Sequence, residues 1–166
     1  MEKDAELRAL LALRQKSWGK IVFHLKKKYE DWLIQQLTAK GYPHFKMSYM
    51  QLLMYIETDG SISNDLAIQA NITRQAMSKV VKELEEEGFI VAKEYSEDKR
   101  VSRLFLTKKG KVLMYEILKC LDTLTKEYKE VIGNEKFETA LQAFIDILEY
   151  HDSNLLKENL LKTSNN

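Results

Sequence analysis

Ser61–Thr107 reads SISNDLAIQANITRQAMSKVVKELEEEGFIVAKEYSEDKRVSRLFLT, and the spacing within it decides the fold. Ser63 is placed to cap a short helix over Asn64–Ala70, with Leu66, Ala67 and Ala70 pointing inward. Asn71-Ile72 makes a corner. Such a turn needs a residue tolerant of positive φ, which Asn provides almost as well as Gly. Thr73 then caps a second helix, Arg74–Glu87, whose Met77, Val80, Val81 and Leu84 recur at helical spacing. Gly88 stops it at the C′ position. Phe89-Ile90-Val91 opens a strand, Arg103–Thr107 is its return, and Tyr95–Val101 between them is a polar hairpin tip. Thr107 caps whatever follows. The order is helix, tight turn, helix and two-stranded wing: a winged helix-turn-helix.

Working outward, Ala5–Lys40 carries Leu7, Leu10, Leu11, Trp18, Ile21, Val22, Leu25, Tyr29, Trp32, Leu33 and Leu37 at helical spacing, with Gly19 the only breaker. This predicts one long helix bent near Gly19. Gly41-Tyr42-Pro43 ends it. Ser48 is then expected to cap a helix over Tyr49–Glu57, Asp59-Gly60 to turn, and Ser61-Ile62 to form a minimal strand anchoring the wing. Beyond Thr107 a helix runs from Lys108 to about Ile132, Gly133-Asn134 interrupts it, and a last helix spans Glu135 to about Leu161 before a frayed end. The fold class is therefore mainly α with a small β-hairpin wing, a winged helix-turn-helix module flanked by long dimerisation helices. The divisions are 1–46 (N-terminal dimerisation helix and linker), 47–110 (the winged module) and 111–166 (C-terminal dimerisation helices). The flanking apolar stripes exceed what one chain of this size covers, so a symmetric dimer is expected.

Whole-chain properties narrow the function classes. The 166 residues are 45% hydrophobic and 31% charged with one Pro and six Gly, which favours long helices in a globular protein. A net charge of +1 means that any nucleic-acid surface must arise by segregating charge. No apolar run is long enough to span a membrane, the N-terminus is not a secretory signal, and one cysteine forms no intrachain disulfide; the expected setting is the cytoplasm. No phosphate-binding loop, nucleophile elbow or histidine pair is present, so an enzyme is not expected, and neither is a cofactor or a bound metal. His24, His44 and His151 are scattered. Cys120, among Leu118, Leu121 and Leu124, reads as a buried inert thiol.

The start of the Arg74 helix carries the chemistry. A helix entering the major groove leads with its N-terminal turns, which should donate hydrogen bonds and lack acids. That face holds Thr73, Arg74, Gln75, Ser78, Lys79 and Lys82, whereas Glu83, Glu85, Glu86 and Glu87 crowd the far end, clear of the phosphates. Arg74 and Gln75 have the shapes for guanine and adenine edges, Ser78 for either, and Lys79 and Lys82 for phosphate. In the wing, Arg100 suits a narrow minor groove beside Lys99, with Asp98 aiming it. A charged hairpin or a charged helix face alone is commonly just solvated. Together, in this order, they point to double-stranded DNA. The alternative is a winged helix used for protein–protein contacts, whose docking face would be apolar rather than rich in donors.

The stretch Asp98-Lys99-Arg100-Val101-Ser102-Arg103-Leu104-Phe105-Leu106-Thr107-Lys108-Lys109-Gly110 resembles the D-x-R-x-x-x-L-x-L-T-x-x-G signature of the MarR family of bacterial transcriptional regulators. Leu66-Ala67, Thr73-Arg74 and Leu84-Glu85-Glu86-Glu87-Gly88-Phe89-Ile90 resemble its helix-turn-helix and helix-to-strand junction. The resemblance implies an obligate homodimer that binds a pseudo-palindromic operator and usually represses nearby genes. It places base and backbone contacts on Thr73, Arg74, Gln75, Ser78, Lys79 and Lys82, and the wing role on Arg100, held by Asp98. Members often respond to a small aromatic effector or to oxidation of a cysteine near the N-terminus. This chain has no cysteine there, and its aromatic residues at helical spacing serve a core or interface as readily as a ligand.

Overall fold

The fold follows from how helices start and stop along a chain with few breakers. A computed structural model describes residues 2–14, 17–94 and 102–163. Helix α1 spans Glu2–Leu13 and α2 Trp18–Ala39. The expected single N-terminal helix is therefore two. Helix α1 ends at Leu13 and α2 starts at Trp18, ahead of Gly19: Ser17 adopts an extended backbone and its hydroxyl accepts the Lys20 N–H at 3.4 Å, starting a new helix that contains Gly19 in its first turn. Only the latter half of α2 is buried, at Leu33 and Leu37.

A second correction follows. Ser48 caps nothing; a 3-10 turn over Met47–Tyr49 runs directly into a one-turn α3, Met50–Leu53, so the helix expected over Tyr49–Glu57 is shorter and enters from Lys46. The segment is nonetheless core, with Tyr49, Met50, Leu52 and Leu53 all buried. Gly60, at φ +88, turns the chain into β1, Ser61–Ile62.

Helix α4 (Ser63–Gln69) begins one residue earlier than expected, with Ile62 rather than Ser63 at the cap position. The corner is as read: Asn71 has φ 52, the sole positive-φ residue other than glycine among those described. Helix α5 (Arg74–Glu86) is capped by Thr73, whose side chain accepts the Ala76 N–H at 3.1 Å, and it buries Met77, Val80 and Leu84. At its end the Gly88 N–H bonds Glu85 O and the Phe89 N–H bonds Leu84 O, a Schellman closure at φ 72.

Strands β2 (Ile90–Glu94) and β3 (Ser102–Leu106) pair antiparallel, Ile90 opposite Leu106 through Glu94 opposite Ser102. Strand β2 thus starts one residue later than read, and β3 starts and ends one residue earlier. Strand β1 pairs with the other edge of β3, Ser61 opposite Leu104, giving the order β1-β3-β2. Helix α6 follows over Lys108–Ile132, burying Leu113, Ile117, Cys120 and Leu124. Gly133, at φ 87, separates it from α7, Asn134–Thr163. Two units result, Met1–Cys120 and Leu121–Asn166. No helix among the described residues is long and apolar enough to cross a membrane.

Candidate nucleic-acid interface

Helix α5 is amphipathic in two senses. Around its circumference, the Met77–Val80–Leu84 stripe is buried while Arg74, Gln75, Ser78, Lys79 and Lys82 are exposed. Along its axis, the first two turns carry no acid and the last two carry Glu83, Glu85 and Glu86. Thr73, beside them, is exposed and has its hydroxyl oxygen engaged by the helix terminus. The six helix-borne candidates therefore share one exposed end of one helix. Ser78 is more restricted than its residue type implies. Its hydroxyl donates to Arg74 O at 2.9 Å, so it keeps only acceptor capacity for a base amino group unless that bond opens. Lys82 lies 3.8 Å from Glu86, an exposed pair that solvent screens. Asp98, Lys99 and Arg100, the wing candidates, lie outside the described residues.

The acidic half of α5 is where the sequence reading missed most. Glu83 accepts from the Lys46 ammonium at 2.8 Å, joining α5 to the segment before α3. That hydrogen bond holds the Glu83 carboxyl below its ordinary range and raises Lys46 above its own. Lys46 also sits 5.7 Å from the Tyr49 ring centroid. Burial pushes the Tyr49 phenol up, against the opposing Lys46 charge. Glu85 accepts the main-chain N–H of Ala92 in β2 at 3.0 Å. The Glu87 carbonyl at the helix end accepts from the Lys109 ammonium, 2.6 Å away, which also stacks 4.4 Å from the Phe89 ring centroid. No local spacing signals the Lys46 or Ala92 contacts, because both are tertiary.

The root of the wing is a knot around one hydroxyl. Thr107 Oγ1 donates to Gly88 O at 2.7 Å, with Phe89 O at 3.2 Å, and accepts the Gly110 N–H at 3.0 Å; the Thr107 main-chain N–H bonds Phe89 O. Gly110 packs so tightly on Phe89 that a Cβ there would fall inside the Phe89 carbonyl. The Leu-Thr-x-x-Gly end of the signature is therefore a structural joint, tying the end of α5 and the start of β2 to the start of α6.

Elsewhere, Lys40 pairs with Glu116 at 2.7 Å, joining the end of α2 to α6, and its pKa is raised chiefly by that bond. Cys120 is buried and its thiol pKa is pushed up by desolvation, as an inert thiol requires. Among the described residues no cluster of His, Cys, Asp or Glu could hold a metal ion. A shallow cavity of about 100 Å³ lies between Tyr42, Pro43, Phe89 and Lys109.

Comparison with known proteins accords with this geometry. A model of the MarR family matches residues 46–102. A curated relative from Bacillus subtilis (strain 168), named the uncharacterized HTH-type transcriptional regulator YybA, is 31% identical over 94 residues, which cover 51% of this chain and 62% of the relative. The chain thus spans less than two thirds of that relative's length. Among solved structures, the transcriptional repressor CouR bound to a 23-mer DNA duplex superposes with TM-score 0.68 at 18% identity, covering 82% of this chain and 95% of that one. The Staphylococcus aureus (S. aureus) MepR–DNA complex gives 0.69 at 17%, covering 81% and 97%. A MarR transcriptional regulator from Methanosarcina mazei Go1 gives 0.69 at 19%, covering 81% and 96%. At such identities these structures speak to the fold, which is the winged helix-turn-helix between terminal helices described above. The family match falls on the segment that holds the corner, the capped α5 and β2 and ends at the first residue of β3, so residues 46–102 carry a module similar to that of the MarR family.

Proposed function

We propose that this protein is a homodimeric, sequence-specific DNA-binding transcriptional regulator that represses nearby genes from a pseudo-palindromic operator. The observation carrying the reading is the axial division of α5, with an exposed, acid-free, donor-rich N-terminal half ahead of an acidic half whose groups are engaged within the chain. Recognition helices enter successive major grooves through Thr73, Arg74, Gln75, Ser78, Lys79 and Lys82, and Arg100, aimed by Asp98 and flanked by Lys99, enters the adjoining minor groove. Two related folds, CouR and MepR, have been solved on DNA, which supports the partner class. Residues 1–46 and 111–166 serve as the dimerisation parts, and 47–110 as the DNA-binding part. What supports the dimer is the run of exposed apolar side chains on the terminal helices, Leu7, Leu10 and Leu11 on α1 and Leu148 and Tyr150 on α7.

Selection of duplexes from a random pool by the purified protein tests the reading. The expected product is a site with two half-sites about 10 bp apart, one turn of B-DNA. Its affinity should fall steeply with salt, as cationic contacts in both half-sites displace counterions. A pool that never enriches, or affinity indifferent to salt, overturns it.

A further inference from the structure

A two-stranded wing is a weak cantilever. Alone, such a hairpin is marginally stable, and β1 supports β3 only at Leu104 and Arg103. Its aim relative to α5 therefore depends on where it is fastened. The Thr107 joint and the Schellman closure both act at the root, on Gly88 and Phe89. Any angular freedom there is magnified along the strand.

The hydrogen bonds of the ladder identify a third fastening. The Thr107 N–H bonds Phe89 O, so in the antiparallel register Phe89, Val91 and Lys93 direct their main-chain groups toward β3. Ile90, Ala92 and Glu94 direct theirs to the open edge of β2, where no strand lies beyond. An N–H on that edge would ordinarily be left to water. The Ala92 N–H instead donates to Glu85 Oε1 at 3.0 Å, from the last turns of α5. Ala92 stands three residues beyond Phe89, about 10 Å along an extended strand. This hydrogen bond ties the wing to the helix beyond its root. A carboxylate accepting an amide N–H gives a charge-assisted bond of defined direction.

We infer that Glu85 is a positioning residue, bracing the wing against α5 so that the element following β2 and the start of α5 meet adjoining grooves in fixed relation. The inference rests on the DNA-binding reading above. It also gives the acidic half of α5 an active part: Glu85 contacts no DNA, and its charge serves the geometry.

The test uses the full-length protein and a duplex enriched from a random pool by wild type, comparing Glu85→Ala with Glu85→Gln, which keeps an acceptor oxygen. Alanine raises helix propensity at an exposed site, so both variants should fold. Three readouts apply. The Ala92 amide should exchange with solvent about tenfold faster in Glu85→Ala and close to the wild-type rate in Glu85→Gln. Glu85→Ala should bind about fivefold more weakly, with hydroxyl-radical protection lost at the flanking minor grooves and kept at the central major grooves, and Glu85→Gln should restore most of both. In an Arg100→Ala background the Glu85→Ala effect should shrink to within about twofold, since the brace acts through the wing. Unchanged affinity, unchanged Ala92 exchange, or a Glu85→Ala loss undiminished without Arg100 would overturn the brace. A wild-type protein that enriches no duplex overturns the DNA-binding reading instead, while Ala92 exchange still reports whether the brace forms.

Discussion

The winged module and the terminal helices are both largely helical, yet they treat their apolar side chains oppositely. In the module, Leu66, Met77, Leu84 and Leu104 are each at most 2% exposed, and the Thr73 and Thr107 hydroxyls close the starts of α5 and α6. In α1, and in α7 as far as its side chains are described, none is buried; Leu10 stays 57% exposed and Leu148 63%. The first pattern is complete within one chain. The second makes physical sense only with a further surface against it, because water-facing leucine stripes of this length are unfavourable. One region is complete within this chain, and the other leaves open the surface that the proposed dimer would cover.

The largest expected effect breaks the module. Gly110→Ala puts a methyl group into the Phe89 carbonyl and should cost about 3 kcal/mol or more, read as a lowered denaturation midpoint. A variant as stable as wild type would mean that the joint yields freely. Next, replacing Leu7, Leu10 and Leu11 with Ser should leave the module folded but weaken self-association, by about tenfold per side chain that the dimer buries. Sedimentation equilibrium decides this, and unchanged association would return those leucines to solvent. Thr73→Ala, which removes the α5 cap, should cost about 1 kcal/mol in thermal or denaturant unfolding.

The smallest effect concerns pH. Glu83 has a lowered pKa, so its contribution is present above the ordinary glutamate range and is lost as pH falls through the lowered value. Lys46 is raised, so its share persists until pH climbs through the raised lysine value. Glu83→Gln should therefore differ from wild type near neutrality and converge with it in acid. Parallel stability curves down to low pH would show that the pair adds nothing.

Legibility in the sequence follows the same division. Asn71, Thr73, Gly88 and Thr107 were readable because each solves a local problem, a turn or a helix end, with neighbours within a few residues. The helix start at Ser17 and the entry near Ser48 escape the sequence for a related reason: either hydroxyl can serve as a cap, and a new helix begins after Ser17 while a 3-10 turn at Met47 replaces the cap expected at Ser48. The exposed DNA-facing candidates on α5 could be named from helical periodicity. The partners of Glu83 and Glu85 could not, since Lys46 and Ala92 reach them only after the chain has folded. Their acidity reads in sequence as mere avoidance of phosphate.

The Thr107 joint has a mechanical consequence. One short β-branched side chain, Thr107, and one glycine couple α6 to main-chain carbonyls at the end of α5, with no long side chain in series. Side chains absorb small displacements by changing rotamer; carbonyls in contact with a glycine Cα cannot. A shift of the first turn of α6 by a fraction of an ångström is thus passed to Phe89, Gly88 and the last turn of α5 with almost no backlash. A stiff transmission joins the helix leading out of the module to the helix proposed to read the groove.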